Sequence, residues 1–275
     1  FTKYKSEKKA AKLKEFDIKY KDEKQKVKDF TKLSHTAKSV FIVRDLVNEP
    51  ANVINPETFE KVVRKLVKDT KIKVKTVTKK DLEKKGAGGI LSVGQGAIHA
   101  PRMLVLEYNP KQDKKHVALI GKGVTFDAGG YNLKPTGYIE EMKMDMGGAA
   151  TVLGITLLAE KLKIKQNIKT YIPLVENMIS GESYHPGDII KMASGKTVEV
   201  ANTDAEGRLI LADALHFAQK ENPTKMLDFA TLTGAVIVAL GPTITAVMTN
   251  TDKIYDEVFK ISQETGEKVW RLPIY

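Results

Sequence analysis

The fold is decided by VALIG (Val117–Gly121), AATVLGITLLAEKL (residues 149–162) and IKTYIPLV (residues 168–175), three apolar runs near the middle of the chain. Short apolar runs such as the first and the third are typical of buried strands. The second run is longer and has few polar positions, so it predicts a largely buried helix. A strand, a helix and a strand in this order predict an α/β protein with a mostly parallel sheet.

The same alternation continues on both sides of this centre. A helix is predicted at residues 40–47, and a second one begins at Asn55-Pro56, because asparagine is a favoured N-cap and proline a favoured first helical residue. The other predicted elements are strands at residues 72–76, 103–108 and 226–230, a hairpin of residues 189–192 and 197–200, and helices at residues 209–219 and 252–263.

The composition limits the chemistry that this chain performs. It has 275 residues, of which 42% are hydrophobic and 29% charged, and this favours a folded core over disorder. It has no cysteine, which excludes disulfides, cysteine-bound zinc, iron–sulfur clusters and thiol nucleophiles. Its five histidines form no His-Glu-x-x-His pair, which excludes a zincin-type protease.

The net charge of +11 raises the question of a nucleic-acid partner. Only five of the 45 basic residues are arginine, although arginine makes most base-edge and bidentate phosphate contacts. Residues 1–35 hold 12 lysines against six acidic residues. We interpret this segment as a linker and a solvent-facing helix, and a polyanion-binding surface is the less favoured alternative.

The sequence predicts neither a membrane span nor a signal peptide. The most apolar stretch, residues 227–248, contains an aspartate, two glycines and a proline, which a span of about 20 residues would not normally combine. The lack of cysteine fits a reducing compartment, so we expect a cytoplasmic protein without a membrane partner. The chain begins at Phe1 and stops at Tyr275 after an apolar run, and we expect that both ends were cut.

Unusual polar residues occur where predicted elements end. The glycine-rich segment at residues 121–134 contains Lys122, Asp127 and Lys134. Glycines let the backbone approach a ligand closely, but the segment does not match a phosphate-binding P-loop. Asp145 stands alone among methionines just before the buried helix, and capping that helix is the alternative explanation for it.

A third polar segment reads NTDAEGR at residues 202–208. Alternate residues of an extended segment face the same side, so Asp204, Glu206 and Arg208 are expected to converge. The alternative is that Asp204 or Glu206 caps the helix predicted at residues 209–219.

Together the three segments supply four carboxylates, those of Asp127, Asp145, Asp204 and Glu206. Ligands of open α/β sheets bind beyond the carboxyl ends of the strands, and this much negative charge in one cleft requires cations. Hard oxygen ligands suit two divalent ions, which would activate a bridging water and polarise a carbonyl or phosphoryl oxygen. The residues predict a two-metal hydrolase, with amide and phosphoester substrates both open.

These motifs resemble the leucyl aminopeptidase family, the cytosol aminopeptidases of peptidase family M17. Residues 202–208 match the signature of that family and are followed by LILADAL at residues 209–215. Four further stretches resemble its two metal loops, the opening of its catalytic domain and its substrate loop: residues 121–134, 142–150, 44–56 and 230–235. The resemblance covers roughly residues 40–250 and departs locally at Ala128, where the family more often has serine.

The resemblance implies a zinc-peptidase-like three-layer α/β sandwich with a mixed, mostly parallel sheet. Residues 1–39 would be a lysine-rich linker or helix from the end of an N-terminal region. Residues 40–275 would be a catalytic domain whose C-terminal part is missing. The family also implies a homo-hexamer that acts on peptides, and the chain alone is expected to be less stable or to aggregate.

The resemblance further implies a ligand set for two zinc or manganese ions. Lys122, Asp127, Asp145 and Glu206 would bind the tighter ion, with Lys122 as a neutral amine. Asp127, Asp204 and Glu206 would bind the more exchangeable ion, with help from the Asp204 carbonyl. In this arrangement Asp127 and Glu206 bridge the two ions.

Other residues receive catalytic and substrate-binding roles from the same resemblance. Lys134 would stay protonated and stabilise an oxyanion, and Arg208, with the backbone at Leu232, would hold a bicarbonate as general base. Met142 and Thr231 would line the pocket for an apolar side chain such as leucine. The free substrate amine would bind a metal ion and Asp145.

The leading hypothesis is therefore a metal-dependent aminopeptidase that releases N-terminal residues from peptides. One alternative is a family member that binds DNA or another partner, supported only by the lysines of residues 1–35. The other is an inactive fragment of the enzyme, in which the sites are present but the pocket and the oligomer contacts are incomplete.

Overall fold

The computed structural model describes residues 3–6 and 23–275. The chain divides into two compact units, Phe1–Thr231 and Leu232–Tyr275. Much of the lysine-rich segment predicted at residues 1–39 lies outside the described residues, and from Glu23 onward it belongs to a helix. The predicted boundary between residues 39 and 40 falls inside that helix.

The first unit contains most of the regular structure. Its helices are α1 (Glu23–Asn48), α2 (Pro56–Val67), α3 (Lys79–Lys84), α4 (Gly88–Gly94), α5 (Gly147–Lys161) and α6 (Glu206–Gln219). Its strands are β1 (Lys73–Val77), β2 (Arg102–Tyr108), β3 (Val117–Gly121), β4 (Gly123–Asp127), β5 (Ile168–Asn177), β6 (Ile189–Lys191), β7 (Thr197–Glu199) and β8 (Lys225–Phe229). Two short 3-10 helices cover Ile139–Met144 and Thr203–Ala205. No helix in the described part of the chain is long and apolar enough to cross a membrane.

A six-stranded sheet forms the centre of this unit. Its order is β1-β2-β5-β3-β8, and β4 pairs with β5 as well. Strand β2 is antiparallel to β1 and β5, whereas the pairs β3–β5, β4–β5 and β3–β8 are parallel. Of these six strands, β2 alone runs in the reverse direction, which confirms the prediction of a mixed, mostly parallel sheet.

Helices cover both faces of the sheet. One hydrophobic cluster contains Leu46 of α1, Phe59 of α2 and Leu153 of α5. The other contains side chains of α3, α4 and α6, namely Leu82, Ile90 and Ile210. Full burial of such a side chain contributes about 1.5–3 kcal/mol. Because each face has its own cluster, the unit is the three-layer sandwich that was expected.

The end of α1 and the beginning of α2 agree with the signals in the sequence between them. Helix α1 ends at Asn48, shortly before Pro50, as predicted. Asn55 is the N-cap of α2, and its side-chain oxygen accepts hydrogen bonds from the backbone N–H groups of Glu57 and Thr58, both at 3.0 Å. The loop from α1 into α2 is thus fixed by a proline and a capping asparagine.

The strand at Val117–Gly121 does not end in a loop, contrary to the sequence analysis. After a break at Lys122 it continues as β4 to Asp127, beside the same neighbour β5. The backbone N–H of Lys122 donates to Phe229 O at 2.9 Å, and its carbonyl accepts from Ala149 N at 2.8 Å. The break therefore keeps its hydrogen bonds while the chain remains extended.

The second unit consists of α7 (Ala235–Leu240), β9 (Thr245–Val247), α8 (Asp252–Thr265) and β10 (Val269–Arg271). Strands β9 and β10 pair in parallel. Helix α8, predicted at residues 252–263, ends at Gly266, whose φ of +77° is the left-handed conformation that favours glycine at a helix terminus.

Candidate metal centre

The structure brings all four predicted carboxylates together beside the sheet. Asp127 is the last residue of β4, and Asp145 lies just before α5. Asp204 belongs to the 3-10 helix that precedes α6, and Glu206 is the first residue of α6. The site therefore lies where parallel strands end and helices begin, the usual position of ligands in open α/β sheets.

One lysine lies between two of these carboxylates in the interior, and we call Lys122, Asp145 and Glu206 the buried triad. The Nζ atom of Lys122 is 2.8 Å from a carboxylate oxygen of Asp145 and 2.8 Å from Oε1 of Glu206, and each side chain is at most 4% exposed. Lys122 Nζ also donates to the carbonyl of Thr231 at 3.1 Å. The Thr231 hydroxyl donates to Asp145 Oδ1 at 2.7 Å, so the last residue of this unit also contacts the triad.

The buried triad depends on two glycines that let other groups approach. A Cβ atom at Gly207 would lie 2.6 Å from Cε of Lys122. A Cβ atom at Gly148 would lie 2.0 Å from the backbone oxygen of Phe229. Both distances are far below van der Waals contact, so a side chain at either position would push the lysine or the strand away.

A second lysine lies between the other two carboxylates, and we call Lys134, Asp127 and Asp204 the outer triad. Lys134 Nζ is 3.0 Å from Asp127 Oδ2 and 2.5 Å from Asp204 Oδ1. The side chain of Asp127 is 3% exposed, whereas those of Lys134 and Asp204 are 15% and 31% exposed. This triad therefore opens to solvent on one side.

Burial and charge shift the pKa values of the buried triad in a consistent way. Burial raises the pKa of Asp145 and of Glu206, and the single ammonium of Lys122 does not fully oppose this effect on two carboxylates. Burial lowers the pKa of Lys122, but the charges of Asp145 and Glu206 raise it by more. Without a further cation the two carboxylates are therefore protonated more readily than free ones, and a cation bound beside them would favour their ionised forms.

Burial and neighbouring charges also have opposite effects on the pKa values of the outer triad. Burial lowers the pKa of Lys134, but Asp204 and Asp127 raise it by more, which keeps the ammonium form. Burial raises the pKa of Asp204 against the hydrogen bond from Lys134.

The two triads meet in a group of oxygens suited to a cation. Carboxylate oxygens of Asp127, Asp204 and Glu206 all lie within 4.8 Å of one another. The two triads combine four carboxylates with two ammonium groups, so negative charge is in excess. Buried, negatively charged oxygen donors fit divalent cations, and a lysine amine fits the same set once it has lost its proton. The residues present therefore fit the metal ions that the sequence predicts.

Residues 202–208 are not extended, so the reason given for the convergence of Asp204, Glu206 and Arg208 is wrong. The 3-10 helix and the start of α6 bring the two carboxylates together instead, and Arg208 is exposed in the first turn of α6. No side chain caps α5 or α6 by a hydrogen bond, so the capping alternatives for the carboxylates do not hold.

Of the predicted substrate-binding residues, Met142 and Thr231 belong to the first unit. Met142 is half-buried in the 3-10 helix that ends just before Asp145. Thr231 contacts Asp145, and Leu232 is the first residue of the second unit. Their roles, like that of Arg208, stay predictions.

Sequence reasoning missed the polar residues that join the loops of the site. Asn177 donates from Nδ2 to Asp127 Oδ1 at 2.8 Å and to the carbonyl of Thr203 at 3.0 Å. Tyr184 donates its hydroxyl to the same carbonyl at 2.6 Å. No motif marks these residues, because their partners are distant in the sequence.

The fold and the site define an α/β protein with a carboxylate-rich centre suited to divalent cations at the ends of its strands. The chain belongs to the cytosol aminopeptidase family, since its residues 41–275 match the catalytic domain of that family.

Individual relatives agree with this assignment. A protein of Streptomyces avermitilis named "Probable cytosol aminopeptidase" is 48% identical over 231 residues, which are 84% of this chain and 45% of the relative. A protein of Persephonella marina with the same name is 43% identical over 275 residues, 99% of this chain and 55% of the relative. The crystal structure of a cytosol aminopeptidase from Coxiella burnetii matches with a TM-score of 0.85 and 38% identity, over 89% of this chain and 53% of that one. The chain thus spans about half the length of the relatives it matches.

Proposed function

We propose that this protein is a metal-dependent aminopeptidase that releases N-terminal residues from peptides, preferably leucine or other apolar residues. The observation that carries the proposal is the convergence of Asp127, Asp204 and Glu206, with carboxylate oxygens within 4.8 Å of one another. Membership in the cytosol aminopeptidase family favours a peptide over a phosphoester as the substrate.

The proposed ligands belong to both triads. Lys122, Asp127, Asp145 and Glu206 would hold the tighter of two zinc or manganese ions, and Asp127, Asp204 and Glu206 the more exchangeable one. When bound, the two ions supply Lewis acidity and an activated water for attack on a peptide carbonyl. Lys122 would be a ligand only as a neutral amine, so it would release its proton to solvent if a metal ion bound there.

Lys134 is proposed to stabilise the oxyanion that forms at the scissile carbonyl. Its ammonium is partly exposed and its pKa is raised, since Asp204 and Asp127 outweigh the effect of burial. Both partners are proposed metal ligands, so the Lys134 ammonium would be free to donate a hydrogen bond to the substrate if their carboxylates bound metal ions. Such a donor is effective because it is already in place when negative charge develops.

Arg208 is proposed to hold a bicarbonate. The exposed guanidinium at the start of α6 supports this role, since it is open to an anion from solvent. The bound anion would accept the proton of the attacking water. This assignment rests on the family resemblance.

Specificity for a free N-terminus is proposed to come from the buried triad. Asp145 would accept a hydrogen bond from the substrate amine, and Met142 and Thr231 would line the pocket for the first side chain. The contact between Thr231 and Asp145 supports a pocket next to the amine site. The homo-hexamer is an expectation from the family resemblance alone, and the cytoplasmic location is an expectation from the lack of cysteine.

The experiment is hydrolysis of leucine amide by protein that is first treated with a chelator and then given Mn²⁺ or Zn²⁺. We expect activity only after a metal is restored, and none on N-acetyl-leucine amide, which lacks the free amine. Glu206→Gln should abolish the activity, whereas Glu199→Gln, at an exposed carboxylate of β7, should not. Full activity in the chelated protein, or on the acetylated substrate, would refute the proposal.

A further inference from the structure

The carbonyl of Thr203 is held by two side chains in the interior. Asn177 Nδ2 donates to it at 3.0 Å, and the hydroxyl of Tyr184 donates to it at 2.6 Å. All three residues are at most 1% exposed. A backbone carbonyl needs only one partner to avoid the cost of burial, so the second donor fixes its direction.

The Asn177 amide connects two loops that carry carboxylates. One N–H of its Nδ2 serves the Thr203 carbonyl, and the other serves Asp127 Oδ1 at 2.8 Å. The two loops are also joined directly, because Thr203 Oγ1 donates to Gly129 O at 2.6 Å and Asn132 Oδ1 accepts from Thr203 N at 2.8 Å. The loop after β4 and the loop before α6 therefore share one network.

This network holds the peptide unit that leads into Asp204. The carbonyl of Thr203 and the N–H of Asp204 belong to the same planar peptide unit. Tyr184 and Asn177 hold the carbonyl end, and Asn202 Oδ1 accepts from Asp204 N at 2.7 Å at the other end. With both ends held, the backbone at Asp204 has little freedom to rotate.

We propose that Tyr184 and Asn177 are positioning residues that clamp the Thr203 carbonyl and thereby direct Asp204 toward the more exchangeable metal ion. The inference rests on the proposed metal site, and it concerns residues outside the motifs that predict this site. Groups that orient metal ligands in this way typically change metal affinity 10- to 100-fold when they are removed.

The Tyr184→Phe variant tests the clamp cleanly, because the ring of Tyr184 is packed in the hydrophobic cluster of α3, α4 and α6 and does not need its hydroxyl for that packing. The residues on both sides of it are held as well, since Ser183 donates to Met178 O at 2.6 Å and accepts from Ser180 N at 2.9 Å. On the other side, the His185 ring stacks on Tyr131 with 4.7 Å between ring centroids. The variant therefore loses one hydroxyl, while Asn177 still satisfies the carbonyl.

The measurement is calorimetric titration of Mn²⁺ into the metal-free wild-type protein and its variants, with thermal unfolding measured on the same samples. For Tyr184→Phe we expect affinity for the weaker-bound ion to fall about 10-fold, while the tighter ion changes by less than about twofold. The matched control is Tyr171→Phe. Tyr171 is also buried, but among the described residues its hydroxyl makes no hydrogen bond to either triad, so both affinities should stay at the wild-type values.

The Asn177→Ala variant is a second, independent test of the clamp. Because Asn177 also holds Asp127, a proposed ligand of both ions, both affinities should fall about 10-fold or more. Equal weakening of both ions in Tyr184→Phe, or wild-type binding in either variant, would overturn the clamp while leaving the proposed function intact. Failure of the wild-type protein to bind Mn²⁺ would overturn the metal site itself, and the clamp with it.

Discussion

The buried triad and the outer triad contain the same groups, one lysine between two carboxylates, in different surroundings. The Lys122 side chain is 3% exposed and also donates to a backbone carbonyl, whereas the Lys134 side chain is 15% exposed and faces Asp204, which is open to solvent. The same ion-pair chemistry therefore suits different tasks. An enclosed lysine is held in one place as a ligand or counter-charge, and a lysine at the opening is free to meet a substrate.

The largest effect is expected at Glu206, which contacts Lys122 and also lies within the oxygen group of the outer triad. Glu206→Ala should remove at least one metal ion per chain and lower activity on the order of 10³-fold or more, because ligands of both ions are lost together. Metal analysis and leucine amide hydrolysis check this. Two ions retained per chain in Glu206→Ala would show that Glu206 belongs to one triad only.

Replacing each lysine in the metal-free protein should separate the triads by stability. Lys122→Met leaves two buried carboxylates without their counter-charge, so the free energy of unfolding should fall by about 3–5 kcal/mol. Lys134→Met disturbs a partly exposed pair, and its loss should stay near 1 kcal/mol or less. Urea denaturation measures both values. Equal losses would mean that burial does not distinguish the triads.

Replacing Lys134 should affect catalysis more than metal binding. Lys134→Ala should lower kcat on the order of 10²–10³-fold, as expected for loss of an oxyanion donor, and keep both ions. Steady-state kinetics and metal analysis on the same preparation check this. If the principal change is loss of metal, Lys134 supports the ligands and the contrast with Lys122 disappears.

The smallest effect is expected at Thr231, whose hydroxyl donates to Asp145 Oδ1 at 2.7 Å. Thr231→Val removes this hydrogen bond, which is worth about 1 kcal/mol, so affinity for the tighter ion should fall about fivefold. Thr156→Val is the matched control, because the buried hydroxyl of Thr156 makes hydrogen bonds to the carbonyl of Val152 and to the hydroxyl of Thr170, away from both triads. A similar loss of metal affinity in Thr156→Val would mean that the effect of Thr231→Val comes from a general loss of packing and not from its contact with Asp145.

The sequence was sufficient to predict the mixed sheet and the convergence of four carboxylates, but not the way in which the chain brings them together. Carboxylates beside glycines are visible as local patterns, and so are the proline and asparagine around α2. The path of the chain at Lys122 depends on hydrogen bonds to Phe229 and Ala149, which no local pattern records. Tyr184 and Asn177 could not be predicted for the same reason, since both donate hydrogen bonds to the carbonyl of Thr203, which is distant from them in the sequence.

The two glycines beside the buried triad restrict how this chain can evolve. Gly207 has no room for a methyl group because of Lys122, and Gly148 has none because of the backbone of Phe229. Neither glycine has a side chain that can act in the site. A substitution at Gly207 would nevertheless displace Lys122, and one at Gly148 would displace the strand that contains Phe229. A library of all single substitutions, selected for metal binding, should therefore leave positions 148 and 207 as invariant as the carboxylates. Part of the sequence pattern of this centre is then a requirement for glycine, because Lys122 and the backbone of Phe229 fill the places where other side chains would lie.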